Sequence, residues 1–204
     1  MIAANEALAR LRDGNERFIK GDTRQSSTRR SVADVALVQE PFAVVLGCSD
    51  SRVPVEIIFD QGPGDLFVIR VAGNIVASSQ VGSVEFAAAQ FGVRLVVVMG
   101  HTRCGAIQAT LEELQRPSQN QSRNLRSIVD RIRPSVEGLL DTDLKNDPAA
   151  LTAHAIRSNV RVSANQLRHG SEILEQLIEA QNLLIVGAEY CLDTGVVEFF
   201  DGMP

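Results

Sequence analysis

Two short segments of the chain carry residue types that bind a transition metal. Cys48 begins the first segment, Cys-Ser-Asp-Ser-Arg, and His101 and Cys104 bracket the second, His-Thr-Arg-Cys. Thiolates and imidazoles are ligands that zinc prefers, and three protein ligands leave a fourth coordination position for water. An open position of this kind is typical of a catalytic zinc site. The sequence therefore predicts one Zn²⁺ per chain, bound by these three side chains.

Asp50 and Arg52 follow the first cysteine by two and four positions. A carboxylate beside a metal thiolate can act as a conditional fourth ligand, or it can accept a hydrogen bond from a metal-bound water. An arginine guanidinium holds a carboxylate through two parallel hydrogen bonds and stays charged. We interpret the pair as a latch: Asp50 leaves the metal open when it binds Arg52 and blocks it when released. The alternative, a plain surface ion pair, would contribute little.

Each segment directly follows an apolar run that ends in glycine and is typical of a buried strand. These runs cover residues 42–47 and 95–100, and further strand patterns lie at 66–70, 183–188 and 196–200. Open α/β sheets place their ligands at the carboxyl ends of parallel strands. If the first two strands are neighbours, the two segments converge.

Helical patterns alternate with these strands. They lie at residues 80–90, 105–115, 125–140, 149–167 and 171–180. Pro134 is expected to interrupt the third of them. The alternation predicts an α/β fold with a mainly parallel central β-sheet of four to five strands flanked by helices.

The chain begins with an amphipathic pattern, in which Ala4, Leu8, Leu11 and Phe18 share one helical face. We expect residues 1–30, an N-terminal helix and arm, to pack on the core or on a partner subunit. With 204 residues and 45% hydrophobic content, the chain is expected to form a single domain.

The composition of the chain argues against nucleic acid and membranes as binding partners. The net charge is −5 and no basic stripe stands out, which argues against nucleic acid. No apolar stretch approaches the length of a membrane span and no signal peptide is evident, so a cytoplasmic protein is expected. The absence of Cys-x-x-Cys makes a redox pair the weaker alternative. The third cysteine, Cys191, is interpreted as a buried packing residue.

Five segments together resemble the β-class carbonic anhydrases. They are residues 14–18, 42–54, 64–74, 100–105 and the turn at 190–195. The resemblance covers most of the chain. It implies a carbonate dehydratase, a lyase that hydrates CO₂ reversibly to bicarbonate and a proton through hydroxide held on zinc. It also implies a homodimer or a dimer of dimers, a homotetramer.

The resemblance assigns roles to particular residues. It implies that Cys48, His101 and Cys104 bind zinc and that Asp50 and Arg52 form the catalytic dyad. For substrate binding it implies the four residues Gln39, Phe67, Gly105 and Phe86.

The resemblance also indicates how these residues would act and where the chain departs from the family pattern. Residues of the Gln39 and Phe67 type can reach across a dimer interface in the family, and Gly105 contributes its backbone N–H. Phe86 stands where many members carry a tyrosine, so a phenol hydroxyl is missing. Members with an inhibitory bicarbonate pocket line it with a tryptophan. This chain has none and places Val45 there, so we expect no shut-off of that kind.

Two other functions fit the same residues. A hydrolase of carbon disulfide or carbonyl sulfide shares the scaffold, and the sequence does not exclude a linear triatomic substrate that contains sulfur. A non-catalytic zinc or bicarbonate-binding protein is the other alternative. The Asp50–Arg52 dyad argues against it, because a structural zinc site needs neither residue.

Overall fold

The computed structural model describes residues 2–24, 39–117 and 122–204. The last part of the expected N-terminal arm therefore lies outside the described residues. The strands are β1 Ala43–Gly47, β2 Leu66–Arg70, β3 Leu95–His101, β4 Leu184–Tyr190 and β5 Val197–Asp201. The α-helices are α1 Ala4–Lys20, α2 Val55–Ile58, α3 Ser78–Gln90, α4 Gly105–Gln115, α5 Arg123–Val136, α6 Pro148–His169 and α7 Glu172–Gln181. Short 3₁₀ turns cover Ala72–Asn74, Glu137–Asp141 and Asp143–Asn146.

The strands form one sheet in the order β2-β1-β3-β4-β5. The first four are parallel and β5 pairs with β4 in the antiparallel direction. Every residue of β1 and β3 is buried, as expected for central strands covered on both faces. The predicted fold class, a mainly parallel sheet flanked by helices, is confirmed.

Helices cover both faces of the sheet because the strand side chains alternate between them. On one face, Val45 and Val97 pack with α1 and α2. On the other face, Val44 and Val96 pack with α3, α6 and α7. A third apolar cluster joins α4, α5 and α6 beyond the carboxyl ends of the strands and includes Cys48 and Cys104. This end of the sheet is therefore walled by helices.

Helix α1 packs on the core of its own chain, through the fully or almost fully buried Ala7, Leu8 and Leu11. A Cβ on Gly14 would lie 1.8 Å from the carbonyl oxygen of Phe59, so only glycine permits this approach. The packing supports the first of the two expectations for the N-terminal helix. A contact with a partner subunit stays a prediction.

Two details differ from the sequence expectations. Pro134 does not interrupt α5, which continues two residues further to Val136 before a 3₁₀ turn begins. Its ring removes one main-chain bond near the end of the helix, where the cost is smallest. The short helix α2 was not predicted, because four residues are too few to show helical periodicity. None of the helices in the three described ranges is long and apolar enough to cross a membrane.

Candidate metal centre

The carboxyl ends of β1 and β3 bring the two metal-binding segments together. The strands are parallel neighbours, with Gly47 opposite Met99, so Cys48 leaves β1 beside the end of β3. The Sγ atoms of Cys48 and Cys104 lie 4.0 Å apart. These sulfurs and a ring nitrogen of His101 all lie within 4.8 Å of one another. The expected convergence of these three side chains is observed.

His101 is fully buried and its ring has a defined orientation. Nδ1 lies 2.9 Å from the carbonyl oxygen of Thr102, whereas Nε2 has no hydrogen-bond partner among the described residues. Thr102 is itself fixed by the β4–β5 turn: its N–H donates to the Tyr190 carbonyl, and its Oγ1 accepts from the Leu192 N–H. A buried ring nitrogen without a partner is costly unless it binds something. Nε2 is thus available as a metal ligand.

Backbone N–H groups surround the two sulfurs. The N–H of Gly73 donates to Cys48 Sγ at 3.4 Å. Amides in the first turn of α4, at Ala106 and Ile107, act to lower the pKa of Cys104. The hydrogen bond between the two sulfurs has the largest effect at both cysteines, because it lowers the pKa of Cys48 and raises the pKa of Cys104. The surroundings of Cys48 therefore favour its thiolate form, and a divalent cation would favour the thiolate of Cys104 as well.

Asp50 and Arg52 form a two-pronged ion pair at the mouth of the site. Arg52 Nε donates to Asp50 Oδ1 at 2.9 Å and Nη2 donates to Oδ2 at 2.7 Å. The Arg52 backbone N–H also donates to Oδ1, at 2.9 Å. These bonds, foremost those of the guanidinium, hold the pKa of Asp50 well below its usual range. Asp50 is thus paired with Arg52. In the predicted latch, this pairing is the arrangement that leaves the fourth coordination position of the metal open.

Arg70 is part of this site and was missed by the sequence reasoning. It ends β2, and its guanidinium donates to two main-chain carbonyls of the first segment, Cys48 at 3.0 Å and Asp50 at 2.5 Å. The loop that carries the thiolate and the carboxylate is thus held to the neighbouring strand. The signal was present, because Arg70 is a charged residue at the carboxyl end of an apolar strand.

The four residues expected to bind substrate lie in different places. Gly105 is the first residue of α4, next to Cys104, and is exposed. Phe67 pairs with Val44, three residues before the end of β1, and therefore lies below the three ligands. Its ring contacts Phe86, which is 53% exposed.

Gln39 precedes the opposite, amino end of β1 and lines a cavity of about 520 Å³. Within one chain, Gln39, Phe67 and Phe86 are therefore not brought to the ligands. Their expected roles in substrate binding stay predictions.

The third cysteine differs from its expected environment. Cys191 lies in the turn after β4, is partly exposed rather than buried, and is not among the three clustered ligands. The hydroxyl of Thr194 is the main cause of its lowered pKa. The other two histidines, His154 and His169, are exposed on α6.

Comparison with known proteins decides the family. A family model described as carbonic anhydrase matches residues 43–197. A carbonic anhydrase of Mycolicibacterium smegmatis is 39% identical over 193 residues, which is 92% of this chain and 89% of that protein. The chain belongs to the β-class carbonic anhydrases. The family is that of carbonate dehydratases, enzymes that hydrate CO₂.

Solved structures support the fold of this carbonic anhydrase. The β-carbonic anhydrase CafA of Aspergillus fumigatus superposes with a TM-score of 0.77 at 24% identity, covering 98% of this chain and 91% of that one. A tetrameric β-carbonic anhydrase of Sordaria macrospora gives 0.75 at 22% identity, covering 86% and 88%. At these identities the likeness concerns the fold alone.

The residues present in this carbonic anhydrase fit a zinc ion. Two sulfurs bound to tetrahedral zinc at about 2.3 Å lie roughly 3.8 Å apart. The two sulfurs here are 4.0 Å apart and the free nitrogen of His101 faces the same group. The donor set therefore matches that ion.

Proposed function

We propose that this carbonic anhydrase hydrates CO₂ reversibly with one zinc ion held by Cys48, His101 and Cys104. The observation that carries the proposal is the convergence of three buried ligand atoms within 4.8 Å, beside a carboxylate that is already paired with arginine. Zinc with three protein ligands and an open position lowers the pKa of a coordinated water and so supplies a nucleophile near neutral pH.

His101 and the two cysteines hold the metal in a site that the protein has partly prepared. The Thr102 carbonyl fixes the imidazole so that Nε2 faces the sulfurs. The buried environment excludes bulk water from the sulfurs, since Cys48 and Cys104 are at most 5% exposed. Preparation of this kind reduces the reorganisation that binding and reaction require.

Asp50 acts as hydrogen-bond acceptor for the nucleophile. Its Oδ2 atom lies 3.9 Å from Nε2 of His101. A water molecule bound beside the three ligand atoms would therefore be within hydrogen-bond distance of this oxygen. Because the carboxylate is ionised, it accepts a hydrogen bond from the nucleophile rather than donating one, and this would direct a lone pair of the nucleophilic oxygen towards the carbon of CO₂. Arg52 keeps Asp50 off the fourth coordination position.

The substrate is held by groups beside the metal and, in our proposal, by a second subunit. The exposed N–H of Gly105 serves as donor to the bicarbonate oxygen. Gln39, Phe67 and Phe86 complete the pocket from the partner of a homodimer, or of a dimer of dimers. We assign the enzyme to the cytoplasm on the sequence expectation alone.

A stopped-flow assay of CO₂ hydration with a pH indicator tests the proposal. The zinc-loaded protein is expected to acidify the solution rapidly, and removal of zinc by a chelator should abolish the catalysed rate. Carbon disulfide and carbonyl sulfide are assayed in parallel through release of sulfide. Sulfide release without CO₂ hydration would favour the alternative hydrolase, and no turnover of any substrate would favour a binding protein.

A further inference from the structure

A buried asparagine lies behind the metal site on helix α6. Asn159 is 2% exposed, and its neighbours on the same helix face, Ala155, Ile156 and Val160, are apolar and buried. Its Nδ2 donates to the carbonyl oxygen of Gly73 at 2.8 Å. Its Oδ1 lies 3.4 Å from the hydroxyl of Ser135, which shares its single hydrogen between this oxygen and the carbonyl of Ile132 at 2.6 Å. A polar side chain in such surroundings is costly unless its bonds are made, and here both ends have partners.

Gly73 connects this asparagine to the metal ligands. The residue has φ of 69°, in the left-handed region that side chains other than glycine rarely adopt. A Cβ there would lie 2.8 Å from Cδ1 of Ile132. Its carbonyl points to Asn159, while its N–H donates to Cys48 Sγ at 3.4 Å. The direction of the N–H therefore depends on the turn that Asn159 holds.

We propose that Asn159 is a positioning residue for the metal centre: through Gly73 it keeps an N–H group directed at the sulfur of Cys48. The inference rests on the proposed zinc site. Helix α6 supplies none of the three ligands, and through Asn159 it would control one metal–sulfur bond.

The consequence is electronic as well as structural. A hydrogen bond to a thiolate withdraws negative charge from the sulfur, and two thiolates otherwise donate more charge to a metal than imidazoles do. The Gly73 N–H thus makes the metal a stronger Lewis acid than two unmodified thiolates would allow. Partners of metal ligands typically change metal affinity by about 10–100-fold when they are removed.

The test replaces zinc by Co²⁺, whose thiolate-to-metal charge-transfer absorption reports on the sulfur directly. Asn159→Leu keeps the branching of the side chain and removes both hydrogen bonds, and Asn159→Ser is too short to reach Gly73. In both variants we expect the band to move to longer wavelength, because the sulfur loses its hydrogen bond. Zinc affinity, measured by competition with a chelating dye, should fall about tenfold or more.

Two controls separate positioning from loss of stability. Leu167→Ala opens a cavity two turns further along α6, where the side chain is fully buried and lies in a different apolar cluster from the metal ligands. Ser135→Ala removes the donor to Oδ1 and leaves the bond to Gly73. Both should keep the wild-type band.

The possible results are distinct. A shift in both Asn159 variants and in neither control supports the inference. An unchanged band in a folded Asn159 variant, or an equal shift in Leu167→Ala, would overturn it while the zinc site stands. Failure of the wild-type protein to bind Co²⁺ or Zn²⁺ would overturn the proposed function together with it.

Discussion

Oδ2 of Asp50 lies 3.9 Å from Nε2 of His101, although both oxygens of this carboxylate already accept hydrogen bonds from Arg52. The contact places an ionised group beside a ring nitrogen for which the described part of the chain provides no hydrogen-bond partner. Arg52 holds the carboxylate near the ligand cluster and competes with a metal for it, while Oδ2, which accepts only one bond from Arg52, can still accept a second. This relationship underlies the first prediction.

Asp50→Asn should lower the rate of CO₂ hydration by about 10²-fold, because a neutral amide is a weaker hydrogen-bond acceptor than a carboxylate and can present its NH₂ donor instead. Zinc content should stay at the wild-type level, since Asp50 is not one of the three ligands. Stopped-flow rates and elemental analysis of the same preparation measure both quantities.

Asp201→Asn is the matched control for this variant. Asp201 is also paired with an arginine, Arg168, at 2.7 Å, and its side chain is 18% exposed against 17% for Asp50. It lies at the end of β5 and should leave turnover unchanged at temperatures where the protein is folded. Full activity of Asp50→Asn would exclude the proposed acceptor role.

The second prediction concerns the ligand set. His101→Ala and Cys104→Ser should each lose most of the bound zinc, because two protein ligands do not hold the ion in competition with a chelator. Cys191→Ser, the control, removes the cysteine outside the cluster and should keep one zinc per chain. Elemental analysis after dialysis measures the difference. Equal zinc loss in all three variants would show that the assigned ligands have no special role.

The third prediction is a pH dependence of thiol reactivity. The Thr194 hydroxyl lowers the pKa of Cys191, so its thiolate forms at lower pH than the ordinary value of 9.0. In the zinc-loaded protein, alkylation by iodoacetamide should label Cys191 first, and its rate should level off with a midpoint below pH 9. Mass spectrometry of the labelled peptide gives the profile.

Thr194→Val should move that midpoint upward, because it removes the main cause of the lowered pKa. Ser171→Ala, a control at a distant helix start, should not move it. A midpoint at or above 9 in the wild-type protein, or one that Thr194→Val leaves in place, would contradict the assignment.

The fourth prediction concerns the N-terminal helix. Asn15 Nδ2 donates to the carbonyls of Ile58 and Gly195, and Oδ1 accepts from the Val197 N–H. Asn15→Ala leaves these buried groups without partners and should lower the free energy of unfolding by about 3 kcal/mol.

Urea denaturation at a fixed protein concentration measures the change. Asn5→Ala serves as control, because Asn5 is exposed on the same helix and should change stability by less than about 0.5 kcal/mol. An Asn15 variant as stable as this control would show that the three bonds contribute little.

The metal cluster could be predicted from the sequence because its ligands stand directly beside recognisable strand patterns. Cys48 and His101 stand at the ends of apolar strands, and parallel neighbouring strands necessarily bring such ends together. The strands were predicted to within about two residues at each end, since continuous apolar runs flanked by glycine define them well.

The remainder of the site depends on contacts that residue types do not reveal. Gly73 contributes a backbone N–H, and any residue has one, so only its left-handed conformation marks it. Asn159 is distant from Gly73 in sequence and resembles any polar residue on a helix. The positions of Gln39 and Phe67 relative to the ligands depend on a second subunit, which no periodicity within one chain encodes.

X-ray absorption at the zinc edge of the purified protein determines whether Cys48, His101 and Cys104 hold zinc and leave a position for solvent. We expect one zinc per chain, with two sulfur ligands at about 2.3 Å and two nitrogen or oxygen ligands at about 2.0–2.1 Å. One of the latter should be a solvent oxygen that exchanges with an added anion. A protein that binds no zinc, or a shell of four protein ligands that no anion alters, would contradict it.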